Sequence, residues 1–252
     1  GALSTAFTVY GIAFIFGVAH TTSFAGIFNG RPEVLNSPLF QFGLFMVILG
    51  LAFKISAFPF QIWAPDVYQG SPLPATALLA VGSKAAGFVL LLRILFSAVP
   101  ALALHWPKLF VVIAAVTILY GNLCAIPQRN LKRLLGYSSL ANAGYLLLEI
   151  AAASASGESA VLYYLSGYLF SVLAAFAVIS IVTRTGADED ISVVAGLHQR
   201  SPLLAAGLAL AMISLAGIPP LAGFFGKFLL LKSVVDRGAT SPMFYTLVGI
   251  AL

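Results

Sequence analysis

The chain has 252 residues, 60% of them hydrophobic and 8% charged, with a mean hydropathy of +1.02. A soluble domain covers its surface with roughly 25% charged residues, so the composition excludes that class and points to a membrane protein. The net charge of +5 is scattered over short connectors with no basic patch, which argues against a nucleic-acid partner.

Apolar runs give eight predicted segments, at about 2–19, 39–63, 74–98, 108–126, 134–153, 159–183, 203–232 and 243 onward. All are predicted to be helical, because lipid offers no partner to an unpaired backbone group. The fold class is therefore all-α, a polytopic transmembrane helical bundle. Connectors carry turn residues: Asn29-Gly30-Arg31-Pro32, Pro127-Gln128-Arg129-Asn130, Ser154 to Gly157 and Gly186 to Asp190. None is long enough for a soluble domain, so residues 1–252 read as one membrane domain. The chain opens at Gly1 without Met, and its last run is ten residues long. Ten helical residues rise about 15 Å, half a hydrocarbon core. This reads as a fragment of a longer protein with its last segment truncated. Arg129, Lys132, Arg133, Arg184 and Arg200 fall on one side, which the positive-inside rule assigns to the cytoplasm.

Two segments are irregular. The second contains Pro59 and Pro65, and the seventh contains Gly217, Pro219, Pro220, Gly223 and Gly226. Proline removes a helical hydrogen bond and clashes with the preceding turn, so Pro59, Pro65, Pro219 and Pro220 are read as helix breaks. Two discontinuous helices five segments apart are the pattern of internal repeats in transporters.

Three lysines stand inside apolar segments: Lys54, Lys84 and Lys227. Each central lysine costs about 2.5–3.5 kcal/mol to insert, so three cost on the order of 8–10 kcal/mol. A lysine near a helix end reaches the headgroups instead, which Lys84, about ten residues from either end, cannot easily do. Lysine also serves as a proton carrier where its environment tunes it, and unwound backbone admits the water such a relay needs. These three residues are the candidate proton-relay residues. Arg93 reads as an anchor, Glu149 as interfacial, and Asp66 as either a helix cap or an ion-pair partner. His20, His105 and His198 read as solvated, and Asp188-Glu189-Asp190 as a solvated loop face. Cys124 is alone in an apolar segment and reads as packing. Metal-ligand spacing, a phosphate-binding loop and a nucleophile–base pair are all missing, so no metal site is expected and redox chemistry is not expected on this chain.

The run Phe53-Lys54-Ile55-Ser56-Ala57-Phe58-Pro59-Phe60-Gln61-Ile62-Trp63-Ala64-Pro65-Asp66-Val67-Tyr68-Gln69-Gly70-Ser71-Pro72 resembles a signature of the chain N family of NADH:quinone oxidoreductase (respiratory complex I), which includes mitochondrial NADH dehydrogenase subunit 2. Ser83-Lys84, the block Asn130 to Ser139, and Leu215 to Lys227 are similar to further family blocks. The resemblance implies two inverted five-helix repeats, each with a broken helix. Lys54 would be the channel lysine of the first half, Lys84 the connecting lysine and Lys227 the lysine of the second broken helix. A glutamate partner for Lys54 would lie upstream of Gly1. The family often has His where Gln61 and Asn142 stand, so a relay through Asn142 would use water or Tyr145. The implied function is proton translocation in a bacterial inner membrane, coupled to electron transfer elsewhere in the complex. No cofactor is expected on this chain, NADH and quinone being used by the complex. The expected partners are the other membrane subunits of complex I and the lipid bilayer. The alternatives are a subunit of a multisubunit cation/proton antiporter, against which Asp66-Val67-Tyr68-Gln69-Gly70 argues, and a structural membrane subunit whose lysines only form pairs.

Overall fold

A computed structural model describes residues 1–28, 32–98, 107–152, 157–184, 189–238 and 243–251. The His105 and Asp188 readings, like most of the connector at 29–31, lie outside these residues. The described residues form helices joined by short connectors, with one isolated antiparallel bridge between Asn130 and Asp190.

In chain order, α1 (Ala2–Ala19) is followed by two short helices, α2 (Phe24–Phe28) and α3 (Pro32–Leu35). The helix α4 (Pro38–Ile55) then packs along α1. Gly11 and Gly43 let the two backbones approach. A Cβ at Gly43 would stand 2.8 Å from the Gly11 carbonyl oxygen, closer than packed atoms tolerate, so both positions need the smallest side chain. The short α5 (Trp63–Gly70) resumes after residues 56–62.

The third predicted segment is one long rod with two irregular stretches. It comprises α6 (Leu73–Leu78), a π-helical turn (Leu79–Ser83), α7 (Lys84–Leu92) and a second π-helical stretch (Arg93–Ala98). Then come α8 (Pro107–Ala125), α9 (Leu131–Ala152) and α10 (Gly157–Val182). A 3₁₀ turn (Ile191–Val194) and α11 (Leu197–Arg200) lead into α12 (Pro202–Ala216), α13 (Ala222–Gly238) and α14 (Met243–Ala251).

Three long helices start on proline. Pro38, Pro107 and Pro202 each occupy the first helical position, where a missing N–H loses no intrahelical bond and φ is already set. Among the described residues, five spans are long and apolar enough to cross a bilayer by length and composition, and α12 is a shorter apolar helix. The centre of the bundle is α9. Its 22 residues rise about 33 Å, and from Leu135 to Ala152 nearly every position is buried among α5, α8, α10 and α13. Its faces carry Ser138, Ser139, Asn142, Tyr145 and Glu149, so it meets protein on every side rather than lipid.

The second predicted segment ends earlier than expected. The helix α4 stops at Ile55, where Ser56 closes it in the left-handed region at φ 60°. Pro59 falls within the non-helical stretch 56–62. Pro65, expected as a second break, instead stands in the first turn of α5. A proline there interrupts no hydrogen bond, so the interruption is confined to residues 56–62. The seventh segment stops at Ala216, with Gly217 at φ 83° as its cap, and resumes at Ala222. Pro219 and Pro220 lie between the two halves.

Candidate functional site

Lys84 is the first residue of α7, immediately after the π-helical turn. It is 2% exposed. Its ammonium donates to the Ser139 carbonyl at 2.9 Å and to Ser139 Oγ at 2.6 Å on α9. Ser139 Oγ in turn lies 2.9 Å from the Gly136 carbonyl and 3.4 Å from the Tyr68 hydroxyl of α5. Among the described residues no carboxylate lies within ion-pairing distance of Lys84. A buried cation held by neutral dipoles alone is costly. It is also the arrangement in which gaining or losing a proton disturbs the fewest other contacts.

Lys227 reaches back into the second helix break. Its ammonium donates to the carbonyls of Leu215 and Ala216 at 3.0 and 3.1 Å. These are end carbonyls of α12, left without helical partners because the helix stops there. The same ammonium lies 4.5 Å from the centre of the Tyr145 ring. Room for its stem comes from Gly217, where a Cβ would stand 2.8 Å from Lys227 Cδ. The break is held by Ser214, whose hydroxyl accepts from Gly223 N at 3.3 Å and from Ser171 Oγ of α10 at 2.7 Å.

Between these two lysines runs a polar stripe of α9. Ser138, Asn142, Tyr145 and Glu149 follow one another at spacings of four, three and four, which places them on one helical face. Asn142 donates to the Ser138 carbonyl at 2.9 Å and accepts from the Tyr164 hydroxyl of α10. The Tyr145 hydroxyl donates to the Ala251 carbonyl at 3.1 Å. Asn142 therefore acts as an anchor for a tyrosine, at a position where the family often has histidine. Glu149, expected at the interface, is fully buried beside Gly157 at the start of α10. Gly157, the first residue of α10, stands against its carboxyl, a contact that hydropathy alone does not reveal.

Lys54 is different. It stands in the last turn of α4 but is exposed within a cavity of about 520 Å³ lined by Ser4, Thr5 and Thr8 of α1, Trp63 and Ser83. Its stem passes Gly87, one turn beyond Lys84 on α7. The adjoining break is clamped at three points. Trp63 Nε1 donates to the Phe53 carbonyl at 3.0 Å, the two rings stack at 5.6 Å, and Phe58 N donates to Thr117 Oγ1 of α8 at 3.1 Å. Ser56 Oγ and Gln61 Oε1 are buried in this stretch without hydrogen-bond partners among the described residues. Buried polar atoms of this kind are rare, and both lie in the non-helical stretch that follows the helix carrying Lys54.

A further charged cluster closes one end of the bundle. Lys132 is buried, pairs with Glu189 at 2.7 Å and donates to the Ser71 carbonyl at 2.9 Å. Arg133 pairs with Asp66 at 2.6 Å and donates to Gln69 Oε1 at 3.0 Å. Leu131 N donates to the Glu189 carbonyl, and Ile191 N to the Arg129 carbonyl, at 2.9 and 2.7 Å. Asp66 is thus an ion-pair partner, and Glu189 is not a solvated loop residue. Asp190 caps the 3₁₀ turn, its carboxylate accepting from Ser192 N at 2.8 Å. The backbone N–H of Ser192 holds its carboxyl below the usual aspartate range. Periodicity could not find Lys132, because it stands in the first turn of its helix, where a lysine ordinarily snorkels. Arg93 lies over the Phe24 ring at 5.9 Å, consistent with an anchor. His20 and His198 are exposed, and Cys124 is half-buried. Among the described residues no group of His, Cys, Asp and Glu is arranged to hold a metal.

Comparisons with known proteins bear on this arrangement. All 252 residues match the family described as NADH:quinone oxidoreductase/Mrp antiporter, transmembrane. NADH-quinone oxidoreductase subunit N of Moorella thermoacetica is 45% identical over 94% of this chain and 50% of that protein. A chain in respiratory complex I of Thermus thermophilus is 35% identical with a TM-score of 0.77, covering 99% of this chain and 54% of that one. A chain of the Mrp complex of a Dietzia species shares the fold, with a TM-score of 0.87 at 24% identity, over 99% of this chain and 46% of that one. The chain spans about half the length of the curated relatives it matches. The chain belongs to the NADH:quinone oxidoreductase/Mrp antiporter transmembrane family.

Proposed function

We propose that this chain carries protons through the membrane as part of an NADH:quinone oxidoreductase, using Lys54, Lys84 and Lys227 while electrons move through other subunits. The observation that carries this reading is Lys84. It is an ammonium enclosed by protein and held, among the described residues, by Ser139 alone. A purely structural lysine in that position would call for a fixed carboxylate. Lys227 supports the same reading, since the interruption of α12 supplies the carbonyls that hold it.

The identity with subunit N relatives favours NADH:quinone oxidoreductase over a separate cation/proton antiporter. On this reading the location is a bacterial inner membrane and the partners are the other membrane subunits. NADH and quinone are handled by those partners and not by this chain.

The test is Lys84→Met in the full-length chain within its assembled complex, with NADH oxidation and acidification of inverted vesicles followed together. Both are expected to fall while assembly holds. Unchanged rates would overturn the reading. Sodium-dependent transport without NADH oxidation would instead identify an antiporter.

A further inference from the structure

Two tyrosine hydroxyls and an ammonium converge on one serine between α5, α7, α9 and α10. Ser139 Oγ donates to the Gly136 carbonyl at 2.9 Å, accepts from the Lys84 ammonium at 2.6 Å and lies 3.4 Å from the Tyr68 hydroxyl. A hydroxyl has no further capacity. Tyr168 of α10 also faces Ser139, near enough for a weak interaction with the serine hydroxyl. Its hydroxyl is buried and makes no hydrogen bond among the described residues. An unused hydroxyl in a bundle interior is a cost that packing alone does not explain, since phenylalanine would fill the same volume. One turn away on the same face of α10 is Tyr164, which bonds Asn142 and faces Tyr145, the residue whose ring lies under Lys227.

We infer that Tyr168 is the proton acceptor that takes over from the Lys84–Ser139 pair and passes the proton onto the face of α10 that leads to Lys227. This rests on the proton-translocation reading above and names a relay residue within it. In the step, an N–H bond of the Lys84 ammonium breaks and that proton bonds to Ser139 Oγ. The former Ser139 proton swings from the Gly136 carbonyl and bonds to the Tyr168 oxygen. The former Tyr168 proton passes to a water molecule. The sum converts an ammonium and water into an amine and hydronium, with both hydroxyls regenerated. Asn142, which cannot titrate, is bypassed.

The test is Tyr168→Phe in the full-length chain of the assembled complex, with Lys84→Met beside it. The hydroxyl has no close hydrogen-bond partner among the described residues, so its removal is expected to leave assembly unchanged. Proton pumping, and NADH oxidation coupled to it, are expected to fall at least about tenfold, the lower end of what a positioned proton carrier contributes. If Lys84→Met abolishes pumping and Tyr168→Phe leaves it intact, Tyr168 is not in the relay and the translocation reading survives. If neither variant changes pumping, both fall. Should Tyr168→Phe fail to assemble, 3-fluorotyrosine at position 168 retains size and hydroxyl with a more acidic phenol. A displaced pH profile of pumping supports the relay, and an unchanged profile overturns it.

Discussion

The Lys227 ammonium sits 4.5 Å from the centre of the Tyr145 ring while donating to the last carbonyls of α12. One residue of α13 therefore joins the central helix α9 to the interrupted end of α12. A cation held over a ring face gains about 0.5–2 kcal/mol, more when water is excluded. Tyr145→Phe keeps the ring and is expected to leave pumping within about twofold of the parent. Tyr145→Leu removes it and should lower pumping about 2- to 30-fold, the factor corresponding to that energy. Equal rates for the two replacements would mean the ring does not hold Lys227.

Gly217→Ala tests the room left for Lys227. The glycine stands at φ 83° and its added Cβ would press on Lys227 Cδ. A left-handed non-glycine residue costs about 1–2 kcal/mol before any clash. Thermal unfolding of the purified complex should shift downward, and pumping should fall with it. A variant as stable and active as the parent would show that the break repacks freely.

Ser139→Ala leaves Lys84 with the Ser139 carbonyl as its single acceptor. Losing one hydrogen bond to a buried charged group costs about 1.5–3 kcal/mol. Ser139→Thr keeps the hydroxyl and is expected to restore most of the activity lost in Ser139→Ala, as read by vesicle acidification. Failure of threonine to rescue would point to packing and not to the hydroxyl.

Lys132 and Glu189 form a pair with one buried partner, tied by Ser71 to the end of α5. Removing either side leaves an uncompensated charge, so Lys132→Met and Glu189→Gln should each destabilise the chain by about 1–3 kcal/mol. Because they share one contact, the double variant should lose less than the sum. Strict additivity in denaturation would show that the pair is not coupled. By contrast, Asp66→Asn breaks a pair whose aspartate is largely exposed, and its effect should stay under about 1 kcal/mol.

The helical class and both interruptions were legible in the chain, because lipid enforces helices and proline marks their ends. Lys84 and Lys227 were legible for the same reason: a charge in an apolar run has no ordinary explanation. What periodicity could not supply was azimuth. Lys54 and Lys84 have equal standing as intramembrane cations, yet one faces an open cavity and the other is enclosed, because α1 and α9 pack on different sides of them. Pro65 could not be told from a breaking proline, since a first-turn proline and an interior one differ only in where the helix starts. Lys132, Glu189 and Glu149 were missed or misread because their surroundings come from residues distant in the chain or on the next helix: Lys132 meets Glu189 and Ser71, and Glu149 meets Gly157. Ser4, Thr5 and Thr8 drew no notice either, short hydroxyls being common on apolar helices.

The π-helical turn at Leu79–Ser83 has a consequence for where Lys84 points. A π turn holds one more residue than the α turn it replaces, and each residue advances a helix by about 100°. The turn thus works as an index notch: side chains after it are rotated by about a quarter-circle relative to an uninterrupted α-helix. Rewinding the same five residues as an α turn would aim position 84 at a different neighbour altogether, with no change in the chemistry of the side chain. The compass bearing of the buried ammonium is set by the backbone five residues upstream of it, before any contact with Ser139 is made.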